Sequence, residues 1–256
     1  MKVPIVKSFV TRHRIWPLGF VFFCIASAGL VAFDVPPAAA QDAASKSAAG
    51  AQQAAPESKN TEPDAKSKWT QLSGKWEPCE FGGDGPIEIT DKVIEVGYGD
   101  PLTGVRWKGS FPKDNYEVEI EARRTDGFDF FCALTFPVAE THCTLVLGGW
   151  GGGVTGLSNI DGYDASDNET TQFRAYDDDK WFRVRVRVDT KHITCWIDDK
   201  EIIQQEREGH EFGIRFEMDP CVPLGVAAYQ CDAEYRNLRW RPLNQSSSTS
   251  DGAPIK

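Results

Sequence analysis

Two segments of this chain alternate strictly between apolar and charged side chains, and no other feature of the sequence constrains its fold as strongly. In YEVEIEA (116–122) the apolar residues alternate with three glutamates, and in WFRVRVRV (181–188) they alternate with three arginines. A period of two places the apolar side chains on one face of a β-strand and the charged ones on the other. Each segment therefore predicts a strand whose apolar face packs on a core.

The surrounding sequence predicts more strands. HITCWI (192–197) runs into Asp-Asp-Lys and then EIIQQE (201–206), which predicts a hairpin. Further strands are predicted at 87–90, 92–98, 102–108, 129–136, 142–148, 170–176, 212–218, 224–230 and 233–241. No long amphipathic segment predicts a helix. Many short strands separated by Gly, Pro and Asp turns indicate an all-β fold, a two-sheet antiparallel sandwich.

The glutamates of the first segment, Glu117, Glu119 and Glu121, allow two interpretations. Period-two alternation predicts a row that faces solvent. We then expect an arginine-bearing strand beside it, either 183–187 or 239–241, because opposite charges across strands neutralise the row. Alternatively, the spacing resembles the E-x-D-x-E strand of jelly-roll glucanases, whose carboxylates converge in a cleft.

The two ends of the chain differ from its centre. Residues 1–40 combine basic residues, an apolar run and an Ala-Ala-Ala cleavage pattern, which predicts a secretory signal peptide or, if uncleaved, a signal anchor. Residues 41–66 and 244–256 are poor in apolar side chains, which predicts a disordered linker and tail. We therefore expect one folded domain at 67–243, in a protein that is periplasmic or secreted, or anchored to the inner membrane and facing the periplasm.

The charge balance bears on the partners of this domain. The chain carries a net charge of −10 and its first forty residues are net positive, so the remainder is more acidic still. An acidic domain without a basic patch argues against nucleic acid, whose binding depends on neutralising phosphates. A membrane is an expected partner only if the N-terminal segment stays uncleaved.

Six cysteines follow residue 40, an even number that permits disulfide bonds in an oxidising compartment without requiring them. The stretch between Cys221 and Cys231 predicts a strand, which would hold their sulfurs too far apart for a bond. Cys195 lies in phase with apolar residues and is predicted in the core. Cys132 and Cys143 lie symmetrically about a turn near 137–138, so we predict that they face each other across a hairpin.

The glycine loop in HCTLVLGGWGGGVTG (142–156) contains the pattern G-x-G-x-x-G. That pattern binds a dinucleotide only where the loop opens a helix, whose N-terminus receives the pyrophosphate. The segment that follows, LSNIDGYDASDNETTQF (157–173), has no apolar helical stripe. We therefore predict no dinucleotide site, and without Gly-Lys-Ser/Thr no P-loop either.

Two longer stretches carry a family resemblance. The Trp-Phe strand, the turn and the Trp-Ile-Asp-Asp hairpin of 180–202 resemble those of concanavalin-A-like and laminin-G-like jelly rolls. The segment 223–243 is similar to the closing strands of the 3-keto-disaccharide hydrolase domain family, which is abundant in exported proteins of planctomycete-type bacteria. The segments 101–138 and 145–173 look like one subgroup of that family, so the resemblance covers about 69–243.

The resemblance implies a jelly roll that acts on glycosides oxidised at C3 of the sugar. A ketone at C3 acidifies the C2 proton, so a base can remove it while the oxygen at C1 leaves, and water then adds to the enone. Such a reaction requires a base, an acid for the leaving group and a donor to the enolate oxygen. Where many members of the family carry a carboxylate on the corresponding strand, this chain has HCTLVLGG, with His142. No cofactor is implied.

The region of the glycine loop supplies the candidate site. The candidate catalytic residues are His142, Asp161, Asp164 and Glu169, and the candidate ligand-binding residues are Trp150, Asn159 and Tyr163. Trp150 is expected to stack on a sugar ring, with His142 and the segment 161–169 at the rim; the alternative is a tryptophan that plugs one end of the sandwich.

Other interpretations of these residues stay open. The acidic segment is also typical of a turn-rich loop, and a calcium site is a further alternative although the spacing does not fit an EF-hand loop. His142 is also consistent with a structural histidine. The expected partner is a small glycoside or oligosaccharide. The alternatives to an enzyme are a non-catalytic carbohydrate-binding module and an interaction module of an envelope assembly.

Overall fold

Residues 67–243, the part of the chain that the computed structural model describes, form fifteen β-strands. In chain order these are β1 (Thr70–Gln71), β2 (Trp76–Pro78), β3 (Ile87–Ile89), β4 (Ile94–Val96), β5 (Leu102–Trp107), β6 (Tyr116–Gly127), β7 (Cys132–Val138), β8 (Thr141–Gly148), β9 (Val154–Ser158), β10 (Gln172–Phe173), β11 (Phe182–Val188), β12 (His192–Ile197), β13 (Lys200–Glu206), β14 (Gly225–Tyr229) and β15 (Cys231–Pro242). A four-residue helical turn, Gly149–Gly152, and a 3-10 helix, Phe216–Cys221, complete this region. The predictions for 1–40, 41–66 and 244–256 concern residues outside it.

The strands form two antiparallel sheets. Sheet A has the order β13-β12-β11-β6-β15-β4-β3, with β1 paired to β15, and sheet B has the order β10-β9-β8-β7-β14-β5-β2. The two alternating segments are neighbours in sheet A: their apolar residues face sheet B, and Val184, for example, lies opposite Ile120. The predicted two-sheet antiparallel jelly roll is confirmed. Within residues 67–243 no helix has the length and apolar character needed to cross a membrane.

Two of the differences between the predicted and the observed strands lie in segments that contribute to the candidate site described below. The segment predicted as a strand at 212–218 enters the 3-10 helix instead, which contains Pro220, a residue that cannot donate to a β-ladder. Conversely, β9 was not predicted, because its sequence VTGLS is short and interrupted by Gly156. This strand directly follows the glycine loop, so the helix that a dinucleotide site requires is absent there.

Most of the core lies between the two sheets, but a second apolar cluster covers the opposite face of sheet B. Its buried members are Cys79, Ala133, Val146, Val154, Ala165, Met218, Cys221 and Ala227. This cluster joins the sheet to two irregular segments, 159–171 and 212–224, that cross it. Sheet B is therefore buried on both faces, which explains why β7 lacks the alternation seen in sheet A: all seven of its residues are buried.

The glutamate row of β6 lies between two rows of arginines. Arg183, Arg185 and Arg187 of β11 lie opposite the row on one side, and Arg236, Arg239 and Arg241 of β15 on the other. The predicted arginine-bearing neighbour is confirmed. The predicted solvent-facing row is wrong at two of its three positions, since Glu117 is 0% and Glu119 6% exposed. The flanking arginine stems cover these carboxylates, which neither face solvent nor line a cleft.

The predicted disulfide between Cys132 and Cys143 is wrong. The hairpin of β7 and β8 turns at 139–140, so Cys132 lies opposite Leu147, and Cys143 lies opposite Phe136. All six cysteines of the described region are buried and free. The prediction failed because it placed the turn two residues too early, which moves the partner of each cysteine by four positions.

Candidate functional site

A cleft of about 390 Å³ lies on the outer face of sheet B, where the two crossing segments leave a gap. Its floor consists of side chains from five neighbouring strands, β9, β8, β7, β14 and β5: Ser158, Thr144, Val146, Ala133, Tyr229 and Leu102. Alternate residues of a strand share a face, so Thr144 and Val146 point to the cleft while Cys143, Leu145 and Leu147 enter the main core. Small residues at Ala133, Thr144 and Ser158 give the floor its depth.

One wall of the cleft is aromatic. Phe130 and Tyr229 lie side by side with ring centroids 5.5 Å apart, and Trp150 stands beside them on the glycine loop with 44% of its surface exposed. Asp129 fixes this loop, because its Oδ2 accepts a hydrogen bond from the backbone N–H of Gly151 at 2.9 Å. An exposed indole held beside two further rings is suited to stack on the C–H face of a sugar.

The opposite wall is charged. Arg215 precedes the 3-10 helix, and Glu217 and Met218 lie in its first turn. The Arg215 guanidinium donates to Glu217 Oε1 at 3.0 Å and to Asp164 Oδ2 at 2.5 Å. The arginine therefore ties this helix to the segment 159–171, and the two segments together form this wall.

Glu217 is the carboxylate of this wall. Burial disfavours its charge, but the hydrogen bond and positive charge of Arg215 outweigh this, so the pKa of Glu217 lies below its ordinary value. Its other oxygen, Oε2, is buried and has no hydrogen-bond partner among residues 67–243. A buried carboxylate oxygen is rarely left unpaired, so Glu217 has capacity to accept a hydrogen bond or a proton.

Close backbone packing holds the segment 159–171 on the sheet. A Cβ at Gly156 of β9 would lie 2.9 Å from the carbonyl oxygen of Ala165, so only glycine allows this approach. Asn168 donates to three carbonyl oxygens of the region, those of Leu157, Tyr163 and Asp164. The wall that contains Asp164 is thus supported by backbone contacts as well as by Arg215.

Of the residues predicted from sequence, Trp150 lines the cleft. Asp164 does not line it but binds Arg215, which does. Asp161 instead binds His210 (2.7 Å between Oδ2 and Nδ1) and accepts the backbone N–H of Glu211. Glu169 accepts a hydrogen bond from Gln205 at 2.9 Å. Glu169 Oε1 also lies 3.7 Å from His210 Nδ1, so Asp161 and Glu169 share this histidine, whereas Asp164 belongs to the charged part of the cleft.

His142 lies on the same face of β8 as Thr144 and Val146, but at the opposite end of the strand from the glycine loop. His142 and Gly148 are six positions apart, which is about 20 Å of strand, so the expectation of His142 at the rim of that loop is wrong. Partial burial and the nearby charge of Lys113 lower its pKa. A role in catalysis for His142 stays a prediction, separate from the Trp150 wall.

The two remaining candidates lie at the edge of the site. The side chain of Asn159 accepts a hydrogen bond from Ser158 Oγ at 2.7 Å, and Ser158 belongs to the cleft floor. Tyr163 is largely exposed and pairs through its backbone with Ile160. Neither side chain is among those that line the cleft.

Of the lining residues, sequence reasoning had named Trp150 as a site residue and missed the others, among them Asp129, Phe130, Arg215, Glu217, Met218 and Tyr229. The aromatic-acidic run FDFF (128–131) was a local signal, because it precedes a strand without period-two alternation. Arg215 and Glu217 gave no such signal once the segment 212–218 was interpreted as a strand.

No group of three or more His, Cys, Asp or Glu side chains within residues 67–243 is arranged to hold a metal ion. Calcium binding by the segment 161–169 stays a prediction without a donor set to support it.

The fold and this cleft define a two-sheet jelly-roll domain with a binding site on the outer face of one sheet. The chain belongs to the 3-keto-alpha-glucoside-1,2-lyase-like domain family, whose model matches residues 64–241. The family resemblance seen in the sequence is thereby confirmed. No curated protein sequence is similar enough to match.

Solved structures with the same general fold share little sequence with this chain. The carbohydrate-binding module CBM66 from Bacillus subtilis is 10% identical, with a TM-score of 0.42 over 65% of this chain and 95% of that chain. A protein of unknown function with a galectin-like fold from Bacillus subtilis is 12% identical, with a TM-score of 0.47 over 70% and 96%. Domain 4 of AbnA, an arabinanase from Geobacillus stearothermophilus in complex with arabinotriose, is 15% identical, with a TM-score of 0.45 over 69% and 93%.

Proposed function

We propose that the cleft between Trp150 and Glu217 binds a 3-keto-glycoside and cleaves it by elimination. The observation that carries the proposal is the pairing of two opposed walls, one aromatic and one with an arginine–carboxylate pair, across a floor of small side chains. The family of the chain supplies the substrate class. A pyranose ring stacked on Trp150 would present its ring substituents to the opposite wall.

Each group of the charged wall has a proposed role. Glu217 takes the proton from C2 of the keto sugar, and the C1–O bond breaks as the C1=C2 double bond forms. The proton held by Glu217 then passes to the leaving oxygen, which restores the carboxylate. The proposed role of Arg215 is to stabilise, by its positive charge, the enolate oxygen that develops at C3. Arg215 also holds Glu217 in its ionised form at neutral pH, the form that accepts a proton.

The same electrostatics also favours a second candidate function, non-catalytic carbohydrate binding. A carboxylate whose pKa lies below its ordinary value is a weak base, because general-base catalysis is most effective with a pKa near the working pH. In that case Trp150 and the Arg215–Glu217 pair would recognise the ring and its hydroxyl groups without cleaving the glycoside.

The decisive experiment incubates the full chain with a 3-keto-glucoside and with its unoxidised parent in ²H₂O. Exchange of the C2 hydrogen, release of the aglycone and binding are then measured separately. We expect exchange and release from the keto sugar alone, with both falling at least about 100-fold in Glu217→Gln, while that variant still binds. Trp150→Ala should weaken binding, and Phe173→Ala, an exposed aromatic residue outside the cleft lining, is the control.

The outcomes separate the two functions. Full turnover by Glu217→Gln would show that Glu217 is not the catalytic base. Binding without exchange or release, lost in Trp150→Ala, would establish the binding module instead. If neither sugar binds the wild-type chain, both proposals fail.

A further inference from the structure

We propose that Cys79 and Cys221 form a disulfide bond that fastens the 3-10 helix of the charged wall to the edge of sheet B. The two residues are 142 positions apart in sequence, and their Sγ atoms lie 3.4 Å apart in the second apolar cluster. A disulfide requires about 2.05 Å between sulfurs. The sulfurs must therefore approach by a further ~1.4 Å for the bond to form.

The two backbones are already held in place around these sulfurs. Cys79 directly follows β2, and its N–H donates to the carbonyl oxygen of Gly104 on β5 at 2.9 Å. Cys221 ends the 3-10 helix, and a Cβ at Gly225 would lie 2.5 Å from its carbonyl oxygen, so this glycine allows the close approach. A bond would therefore join two segments that the fold has already brought together.

The two sulfurs also lie apart from solvent, since Cys79 is 3% and Cys221 0% exposed. The hydrogen bond with Cys79 and burial raise the pKa of Cys221 well above its ordinary value, so the thiolate that attacks a disulfide is scarce in the folded, reduced protein. We therefore expect the disulfide to form during folding, before the 3-10 helix packs against Cys79 and buries both sulfurs.

The chemistry requires an oxidant of the disulfide class, such as oxidised glutathione or a disulfide oxidoreductase. One cysteine thiolate attacks the oxidant, which releases a thiol and leaves a mixed disulfide. The thiolate of the second cysteine then displaces the other thiol. The cysteine pair loses two protons and two electrons, and the oxidant is reduced to two thiols.

The test refolds the full chain from denaturant in a mixture of oxidised and reduced glutathione, and compares it with the chain refolded in excess reductant. All free thiols are then alkylated in denaturant, and peptides are mapped without reduction. The chain has seven cysteines, so we expect five labelled cysteines and one cross-linked peptide pair that contains Cys79 and Cys221. Oxidation should also raise the Tm by about 5–10 °C, because the bond closes a long loop in the unfolded chain.

Variants assign the shift to this pair. Cys79→Ala and Cys221→Ala should each abolish the redox-dependent rise in Tm, whereas Cys143→Ala, another buried cysteine, should retain it. Peptide mapping of the wild-type chain stands independently of whether the variants fold. Seven labelled cysteines after oxidative refolding, or a cross-link between another pair, would overturn the proposal.

Discussion

Arg187 donates two hydrogen bonds to one oxygen of Glu117, from Nε at 2.8 Å and from Nη2 at 2.7 Å, between neighbouring strands of sheet A. The other oxygen of Glu117 accepts from Arg241 Nε at 2.6 Å. A carboxylate that is wholly buried is thus neutralised from both sides, and the guanidinium of Arg187 also lies 5.1 Å from the ring centroid of Trp196. Glu117 is therefore held by arginines of both neighbouring strands.

Replacing Arg187 with alanine should lower the free energy of unfolding by about 2 kcal/mol, the range for hydrogen bonds to charged groups. The matched control is Arg183→Ala on the same face of β11, because Arg183 pairs with the exposed Asp199; it should lose less than about 1 kcal/mol. Urea unfolding of both variants measures the difference. Equal losses would show that burial of Glu117 adds nothing to this ion pair.

The glycine loop offers a pair of neighbouring substitutions with opposite expectations. Gly152 has a φ of +98°, and a Cβ there would lie 2.5 Å from the carbonyl oxygen of Phe128. Gly153 has a φ of −106°, and a Cβ there would meet nothing within 4 Å. We expect Gly152→Ala to lose about 1–3 kcal/mol of stability and Gly153→Ala to change it by less than about 0.5 kcal/mol. A loss at Gly152→Ala as small as that at Gly153→Ala would mean that the loop adapts to a side chain at position 152.

Trp150 should act as a surface residue in stability measurements. With 44% of its surface exposed, Trp150→Ala is expected to lose less than about 1.5 kcal/mol. Trp107, which is 7% exposed, is the comparison and should lose about 3–5 kcal/mol on the same change. Alanine keeps the Cβ, so the strain of the positive φ at Trp150 is unchanged between wild type and variant. A loss at Trp150 as large as that at Trp107 would make it part of the core.

Two histidines should titrate on opposite sides of the ordinary value of 6.5. The hydrogen bond that His210 donates to Asp161 raises the pKa of His210, whereas burial and the charge of Lys113 lower the pKa of His142. Ring proton shifts followed by NMR from pH 5 to 9 measure both, with His210→Gln and His142→Gln to assign the signals. A higher pKa for His142 than for His210 would contradict the effects assigned to the two environments.

The His210 contact also predicts how stability varies with pH. A raised folded-state pKa means that its stabilisation is fully present below pH 6.5 and is lost as the pH rises through the folded pKa. The pKa of Asp161 is lowered, chiefly by the backbone N–H of Glu211, so its contribution is lost as the pH falls below 3.8. The stability difference between wild type and His210→Gln should therefore be largest between about pH 4 and 6.5.

The main strands of sheet A were predicted well because their own sequences show which side chains are buried and which are not. In β6 and β11 the alternation of apolar and charged side chains indicates which face of the strand packs on the core. The local pattern offered β11 and the arginines of β15 as alternatives, but it could not reveal that both strands flank β6, since β15 lies more than a hundred residues further along the chain. Arg241 of β15 covers the second side of Glu117, so a carboxylate expected at the surface is buried.

Sheet B and the cleft were harder to predict for the same kind of reason. Strands buried on both faces lose alternation, so the register of β7 and β8 was misplaced and with it the partners of Cys132 and Cys143. The cleft depends on segments that cross the sheet without regular structure, and Arg215 reaches Asp164 across 51 residues of sequence. Trp150 was found because its flanking glycines mark an isolated aromatic in the sequence itself.

The second apolar cluster beneath the crossing segments has a thermodynamic consequence for recognition. Its packing orders the walls of the cleft before any ligand arrives, so the entropy of fixing these segments is already lost on folding rather than on association. Free and ligand-bound forms should accordingly share one backbone conformation at 159–171 and 212–224. Affinity is then set by contacts alone, and discrimination between closely related sugars follows from how rigidly Trp150 and Glu217 are kept apart.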